Sequence, residues 1–432
     1  MPDSLLPPAV RADLLQFHVL TAFPPHNINR DEDGRPKTCR FGGAVRGRIS
    51  SQARKRALRF APHFPDAQRA TRTREAGIEV FRSLTSAGID DVSALLAALA
   101  VNMATGAGGP VPKEEDVRTI VSPDPKKQKK VFDEKEKTLA DVMAKYGMDR
   151  AAAERYRLER YAGTEQGLVI GTREFVRIRE AVAALIDIRA RDPDAFPDAL
   201  QGWVRAVCRD GLLTRADHDL DTALFGRMVA ADPAFNVEAA CAVGHAFTTH
   251  AFMTEGDYFS AGEELNVLGG TGAAITSYAF FGGGVYYQHA VLDRGHLRET
   301  LSRGRTAEEA DRLAVEAVDA FVTGLLFAQP KGKRNSHASD VAASYVLVTR
   351  GGDPAMNLGL AYLQPIDSQG DIMLASIRRL DAFHDTARSA YGLSNRVCAF
   401  NGYGPARTGN APAAPEVWTV EELRRFVLEP AR

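Results

Sequence analysis

Residues 35–59 carry nine Lys or Arg side chains and no Asp or Glu, in a chain whose formal net charge is −1. Such a local excess suits anion binding, because the chain as a whole offers no steering field. Ser50 or Ser51 can N-cap a helix that starts at Gln52. At about 100° per residue, Gln52, Lys55, Arg56 and Arg59 then share one face. Ala53, Ala57 and Phe60 fall on another face, suited to packing, and Arg54 lies apart from both. Ammonium, guanidinium and amide groups beside the free N–H groups of a helix start are phosphate-binding chemistry. They position a nucleic-acid backbone without reading its bases. The alternative is a surface helix whose cations pair with acids elsewhere. Arg46 and Arg48 on the preceding stretch favour the phosphate reading. So does a second basic loop at 330–335, which holds Lys331, Lys333 and Arg334. Gly332 within that loop allows close backbone approach to a ligand.

Other patterns point to weaker chemistry. Asp31, Glu32 and Asp33 put three carboxylates in one loop, and Asp31 or Asp33 could hold Mg²⁺ and activate a water for RNA cleavage. The loop lacks a full calcium-binding pattern, and exposure or pairing with a neighbouring arginine accounts for its acidity. His245 and His250 stand five apart, not the four that align two imidazoles on a helix, so a core or turn role is the expectation. Tyr286 and Tyr287 could stack on bases, but strand alternation lets at most one do so, and core packing is the default. Gly282–Gly284 precedes a strand and not a helix, so it is no dinucleotide cradle. The four cysteines form no CxxC pair, which argues against disulfides and a cysteine zinc site. No metal and no cofactor are expected.

The elements that must position these residues follow from periodicity. Residues 14–23 and 45–50 alternate as strands, with a polar loop at 27–37 and a turn at 41–43 between them. Residues 71–213 are mostly helical, interrupted by a Gly-, Pro- and Lys-rich stretch, 106–137, that reads as a mobile linker with a solvated lysine run at 126–130. Strand patterns return at 223–229, 285–292 and 344–348, with helices at 238–245, 307–327 and 420–427. Residues 253–284 read as irregular. Strands split by a long helical insertion imply an α+β fold with a discontinuous sheet domain. At 432 residues and 45% hydrophobic content, two to three lobes with a large core are expected. The N-terminal stretch has no signal-peptide character, and no apolar run is long enough for a bilayer, so a cytoplasmic protein without membrane contact is expected.

The stretches FHVLTAFPPHNINRDEDG and FGGAVRGRISSQARKRALR resemble the CasC (Cse) family, the backbone subunit of the type I-E CRISPR Cascade complex. LDTALFGRM, AVGHAFTTH, GGGVYYQHAVL and PKGKRNSHAS follow in the family's order. The family belongs to the RAMP superfamily. The resemblance therefore implies an RRM-like (ferredoxin-like) palm with a helical fingers insertion and an extended loop or hairpin thumb. The implied boundaries are 14–65, 215–247 and 285–432 for the palm, 66–214 for the fingers and 248–284 for the thumb. Residues 106–161 lengthen the fingers beyond the family's pattern.

By position, Arg30, Lys37, Gln52, Lys55 and Arg59 match the family's guide-RNA backbone contacts. Arg48 and Arg56 lie within the same motif, and Met228 matches an apolar residue near a displaced base. The implied role is antiviral defence without catalysis. Several copies stack along one CRISPR RNA (crRNA) in a ribonucleoprotein complex with other Cascade subunits and present the spacer for pairing with a target DNA strand. A general binder of single strands or DNA, outside any complex, is a further alternative.

Overall fold

A computed structural model describes residues 13–230, 232–261, 275–404 and 416–429. The chain forms two compact units. One comprises Met1–Asp66, Ala239–Ser302 and Thr306–Arg432; the other comprises Ala67–Glu238 and Arg303–Arg305.

The first unit opens with β1 (Leu14–His26), β2 (Thr38–Phe41), β3 (Ala44–Ile49) and α1 (Ser51–Arg59). The second unit follows, with β4 (Thr71–Thr73), α2 (Ala76–Ser86), α3 (Asp91–Ala104), α4 (Glu114–Val121), α5 (Lys129–Tyr146), α6 (Arg150–Ala162), β5 (Leu168–Ile170), α7 (Thr172–Arg191), α8 (Phe196–Asp210) and α9 (Leu220–Phe225). The chain then returns to the first unit through β6 (Cys241–Val243), β7 (Ala246–Thr248), β8 (Glu255–Ala261), β9 (Ile275–Asp293), α10 (Arg294–Ser302), α11 (Ala307–Phe327), α12 (Arg334–His337), β10 (Tyr345–Gly351), α13 (Ile372–Tyr391), β11 (Arg396–Asn401), β12 (Glu416–Val417) and α14 (Val420–Leu428).

Among the described residues, the first unit is built on a ten-stranded sheet with the path β12-β11-β10-β1-β9-β7-β3-β2, with β6 and β8 also paired to β9. Within it the chain runs β1, α1, β6/β7, β9, α11, β10, a βαββαβ succession in which β1 and β9 are the inner pair. The central strand β1 is buried on both faces. On one face Phe17 meets Phe321 of α11 edge-on, with ring centroids 6.0 Å apart. On the other face Leu20, Tyr287 and Leu347 share a core with Leu358, Tyr362, Ile377 and Leu380. The polar residues on that face are satisfied: Gln16 Nε2 donates to Pro354 O at 3.2 Å and Gln16 Oε1 accepts from Met356 N–H at 2.8 Å. Tyr286 and Tyr287 of β9 are both core residues. Tyr286 packs with Phe23, Ile49 and Ala246, and the Tyr287 hydroxyl bonds to His18 and Asn357. Neither is presented for base stacking.

The second unit is helical around a two-stranded ribbon, β4 with β5. Its centre is α3, where Ala94–Ala98, Ala100 and Val101 are all buried, as expected of a helix apolar on every side.

Four expectations are overturned. Residues 106–137 are not a linker: they contain α4 and the start of α5, because Val117 and Leu139 bury themselves against helical neighbours. Residues 238–245 contain the strand β6, which pairs with β9, in place of a helix. Residues 223–229 end the helix α9 at Phe225 and then turn at Gly226, whose φ is +79°. Residues 253–284 are not irregular, since β8 pairs with β9 from Glu255↔Phe281 to Ala261↔Ile275. The tip of that hairpin, 262–274, lies outside the described residues.

Candidate nucleic-acid interface

Helix α1 is N-capped by Ser50, whose Oγ accepts from the Ala53 N–H at 3.3 Å. Gln52 and Arg56 are exposed, and Lys55 and Arg59 are half-buried, so the polar face is the expected one. The packing face is not. It is formed by Arg54 and Leu58, both buried, while Phe60 is exposed beneath the guanidinium groups of Arg56 and Arg59. The Leu58 side chain fills the space that a Cβ on Gly324 of α11 would occupy.

Arg54 carries a buried charge with carbonyl partners. Its guanidinium donates to Gln288 Oε1 at 2.9 Å, to Ala328 O at 2.6 Å, to Leu325 O at 3.5 Å and to the side-chain oxygen of Gln329. Leu325 and Ala328 end α11, where the carbonyl oxygens lack helical partners and the helix dipole is negative. Burial lowers the Arg54 pKa to about 10, which leaves it charged at neutral pH. Arg46 is also buried, and it donates to the carbonyls of Phe41, Thr248 and Tyr362. It ties β3 to its neighbours and does not contribute to a surface patch, contrary to the sequence reading.

Three segments converge on α1. The loop before β2 is joined to the helix start through Asn29, whose Oδ1 accepts from the Ser50 N–H at 2.8 Å. The same loop carries Arg30, exposed and bridged to Pro36, and Lys37, half-buried beside β3 through the Arg48 N–H to Lys37 O bond of 2.8 Å. Asp31 closes the loop: its Oδ1 accepts from the Arg35 N–H at 2.9 Å. Arg35 in turn lies over the Phe280 ring at 4.8 Å, and Asn27 Nδ2 donates to Phe280 O at 2.6 Å, anchoring the loop to β9.

The basic loop after α11 is the second segment. A Cβ on Gly332 would overlap the carbonyl oxygen of Ile28. This glycine therefore serves close approach to the protein's own backbone and not to a ligand. Lys331 and Lys333 are exposed, with Lys333 in a left-handed conformation at φ 53°. Arg334 is exposed and pairs with Asp340 at 2.7 Å.

The third segment lies between β6 and β7 and carries His245. This residue is exposed, and its Nδ1 accepts from the Ser51 N–H at 3.1 Å and faces Arg48 Nη1 at 3.4 Å. Burial first, then the charges of Arg48 and Lys37, lower its pKa. His250 is buried and separately engaged: Nδ1 donates to Ala251 O at 2.7 Å and Nε2 accepts from the Val285 N–H at 3.2 Å. The two histidines serve different neighbours, and the expected core role fits His250 alone. No group of three or more His, Cys, Asp or Glu side chains suited to a metal occurs among the described residues.

Met228 belongs to the second unit. It is 79% exposed, yet it stands between Arg227 and Val229, both buried. Arg227 Nη1 donates to both oxygens of Glu174, at 2.8 and 2.9 Å, and Glu174 also accepts from the N–H groups of Gly171 and Thr214, each at 2.7 Å. The Val229 N–H donates to Asn236 Oδ1 at 2.7 Å. An apolar side chain is thus held in solvent by a buried frame on either side.

Sequence reasoning placed Arg54 outside the packing face and weighed His245 only as a metal ligand; it missed the burial of the one and the helix-start contact of the other. The spacing Arg54–Leu58 was the available signal for Arg54, since four residues separate neighbours on one helix face.

Two solved structures resemble this fold over nearly their whole length. A chain of a CRISPR RNA-guided surveillance complex, pre-nicking, aligns with a TM-score of 0.69 at 20% identity, covering 96% of this chain and 99% of that one. A chain of a CRISPR RNA-guided surveillance complex aligns with a TM-score of 0.53 at 17% identity, covering 96% and 98%. No curated protein matches the sequence. No helix among the described residues is long and apolar enough to cross a membrane. The sequence model of the Cas_CT1975 family, described as CT1975-like proteins, matches residues 15–423, and the chain belongs to that family.

Proposed function

We propose that this chain is a non-catalytic, RNA-binding backbone subunit of a type I-E CRISPR surveillance complex (Cascade). Several copies stack along one CRISPR RNA, hold its backbone and leave its bases free to pair with a target DNA strand. The βαββαβ succession with β1 and β9 as the inner pair is the order of an RRM-like, ferredoxin-like domain, and it serves as the palm. The helical second unit supplies the fingers and the β8–β9 hairpin the thumb.

The observation that carries this reading is that two basic loops, one with Arg30 and Lys37 and one with Lys331, Lys333 and Arg334, adjoin the strand and helix that carry Arg48, Gln52, Lys55, Arg56 and Arg59. A scaffold for arbitrary guides should contact phosphates and ribose hydroxyls and avoid base edges. These side chains suit that task, and the usual base-stacking face of an RRM-like sheet is filled here by α13 and Tyr362. Arg334 contributes once it exchanges its exposed partner Asp340 for phosphate, a small cost for a surface pair. Met228, held rigidly in solvent, fits an apolar contact to a displaced base.

Assembly on RNAs of increasing length tests the reading. The number of protomers per RNA, from light scattering after size exclusion, should rise in equal steps with length, and an unstructured single-stranded DNA should not support the ladder. One protomer per strand at every length would count against it. Single-stranded DNA should still bind one protomer weakly through its phosphates without building the ladder. Incubation with complementary RNA and Mg²⁺ should give no cleavage; site-specific cutting lost in Asp31→Ala or Asp33→Ala would replace the scaffold by a nuclease.

A further inference from the structure

The chain running from β6 to β7 along β9 holds a bulge. Val243 pairs with Ala290 and Phe247 with Tyr287, four steps along this chain against three along β9. The extra residue falls at Gly244–Ala246, where the Gly244 N–H donates to His289 O at 2.8 Å and a Cβ on Gly244 would touch that oxygen at 3.0 Å. A bulge re-aims a side chain out of strand alternation. Here it turns His245 toward the start of α1, within reach of the charges of Lys37 and Arg48. Lys55 stands one turn along α1 from Ser51, on the same side of the helix.

The ring's hydrogen bonds fix its chemistry. Two donors, the Ser51 N–H and the Arg48 guanidinium, both face Nδ1. That nitrogen must carry a lone pair, so the proton sits on Nε2. His245 is exposed, and Nε2 is bonded to no group among the described residues. We infer that His245 is a further RNA-backbone contact, a neutral Nε2–H donor held by the Ser51 amide and aimed at an acceptor oxygen of the strand gripped by Lys37, Arg48 and Lys55. The inference rests on the RNA-binding reading above. It adds, beside Gln52, a second uncharged and directional donor to a set that is otherwise cationic. The acceptor is a phosphate or a ribose 2′-hydroxyl oxygen.

His245→Asn separates the two sides of the ring. The Asn oxygen can still accept from Ser51 N–H, but the outward donor is lost. Full-length protein is titrated by filter binding with a single-stranded RNA across a series of salt concentrations. His245→Asn should bind about tenfold more weakly, the loss of one hydrogen bond to a charged or strongly polar acceptor. Its melting temperature and salt slope should match wild type. Lys55→Met should lower the slope by about 0.7, the value for one phosphate contact on a single strand. His245→Phe should weaken binding equally and also lower the melting temperature, because Ser51 loses its acceptor. A strand with 2′-deoxyribose distinguishes the sources: the His245→Asn penalty persists there for a phosphate acceptor and vanishes for a hydroxyl.

The inference is overturned if His245→Asn binds like wild type while Lys55→Met is weakened. It is equally overturned if His245→Asn lowers the salt slope as a lost cation does. In either case RNA binding itself stands. If wild type and Lys55→Met bind alike with the same slope, the RNA-binding reading falls, and this inference with it.

Discussion

The Arg54 guanidinium donates to the Ala328 carbonyl oxygen at 2.6 Å, and so joins the helix bearing the basic face to the loop bearing Lys331 and Lys333. Charge on one side of α1 meets solvent, and the same residue type on the other side closes the end of α11. Arg54→Met should therefore cost about 3 kcal/mol of stability on urea unfolding, the range for losing several buried hydrogen bonds to a charged group. Lys55→Met should stay within about 0.5 kcal/mol, as surface changes do. Equal effects of the two changes would show that Arg54 is not a buried tie.

Glu174 and Arg227 provide a second contrast. Glu174→Ala leaves the Arg227 guanidinium buried without its carboxylate, which should cost about 3–5 kcal/mol in stability of the second unit. Met228→Ala should leave stability within about 0.5 kcal/mol and weaken RNA assembly. Differential scanning calorimetry and a binding titration on both variants check this. A large stability loss in Met228→Ala would mean that the side chain packs and is not presented.

Gly332 marks where the second basic loop meets Ile28. Gly332→Ala must displace one backbone from the other, costing about 1–3 kcal/mol by overpacking. It should also weaken RNA binding, with the charges of Lys331 and Lys333 unchanged. RNA affinity equal to wild type would remove this loop from the interface.

The buried histidines make stability depend on pH. Burial lowers His289 to about 4; burial, then the nearby His337, lowers His26 to about 4. Unfolded histidine titrates near 6.5, so between about pH 6.5 and 4 the unfolded chain binds more protons than the folded one. Stability is therefore full above about 6.5, falls as the pH drops through this window, and levels off below about 4. His289→Gln should flatten the fall by close to one proton, read from urea midpoints at pH 7, 6 and 5. An unchanged slope would mean that His289 is not held neutral by the fold.

Much of this was legible in the sequence, and the exceptions have physical causes. The strand of residues 14–23, the N-cap at Ser50 and the face Gln52, Lys55, Arg56 and Arg59 follow from local periodicity, which the structure keeps. Arg54 was set apart from both faces by its angle around the helix. Only the carbonyl ends of α11, more than 270 positions away in the chain, make its burial tolerable. The strand β6 was read as a helix because a short edge segment owes its conformation to β9 and not to its own residues. His245 was weighed only as a metal ligand and read as a core or turn residue; its position beside Ser51 was not legible, since a bulge is a property of paired strands. Met228 could be marked only by resemblance, as nothing local shows that a buried ion pair holds the residue before it.

The most direct measurement of the central claim is guide-RNA assembly by the double variant Lys37→Glu with Lys55→Glu. Both side chains lie at the surface of the first unit and form no ion pair among the described residues that folding would lose. The account predicts a wild-type melting temperature together with complete loss of the protomer ladder on RNA at physiological salt. A variant that folds and still assembles on RNA with wild-type affinity would contradict it.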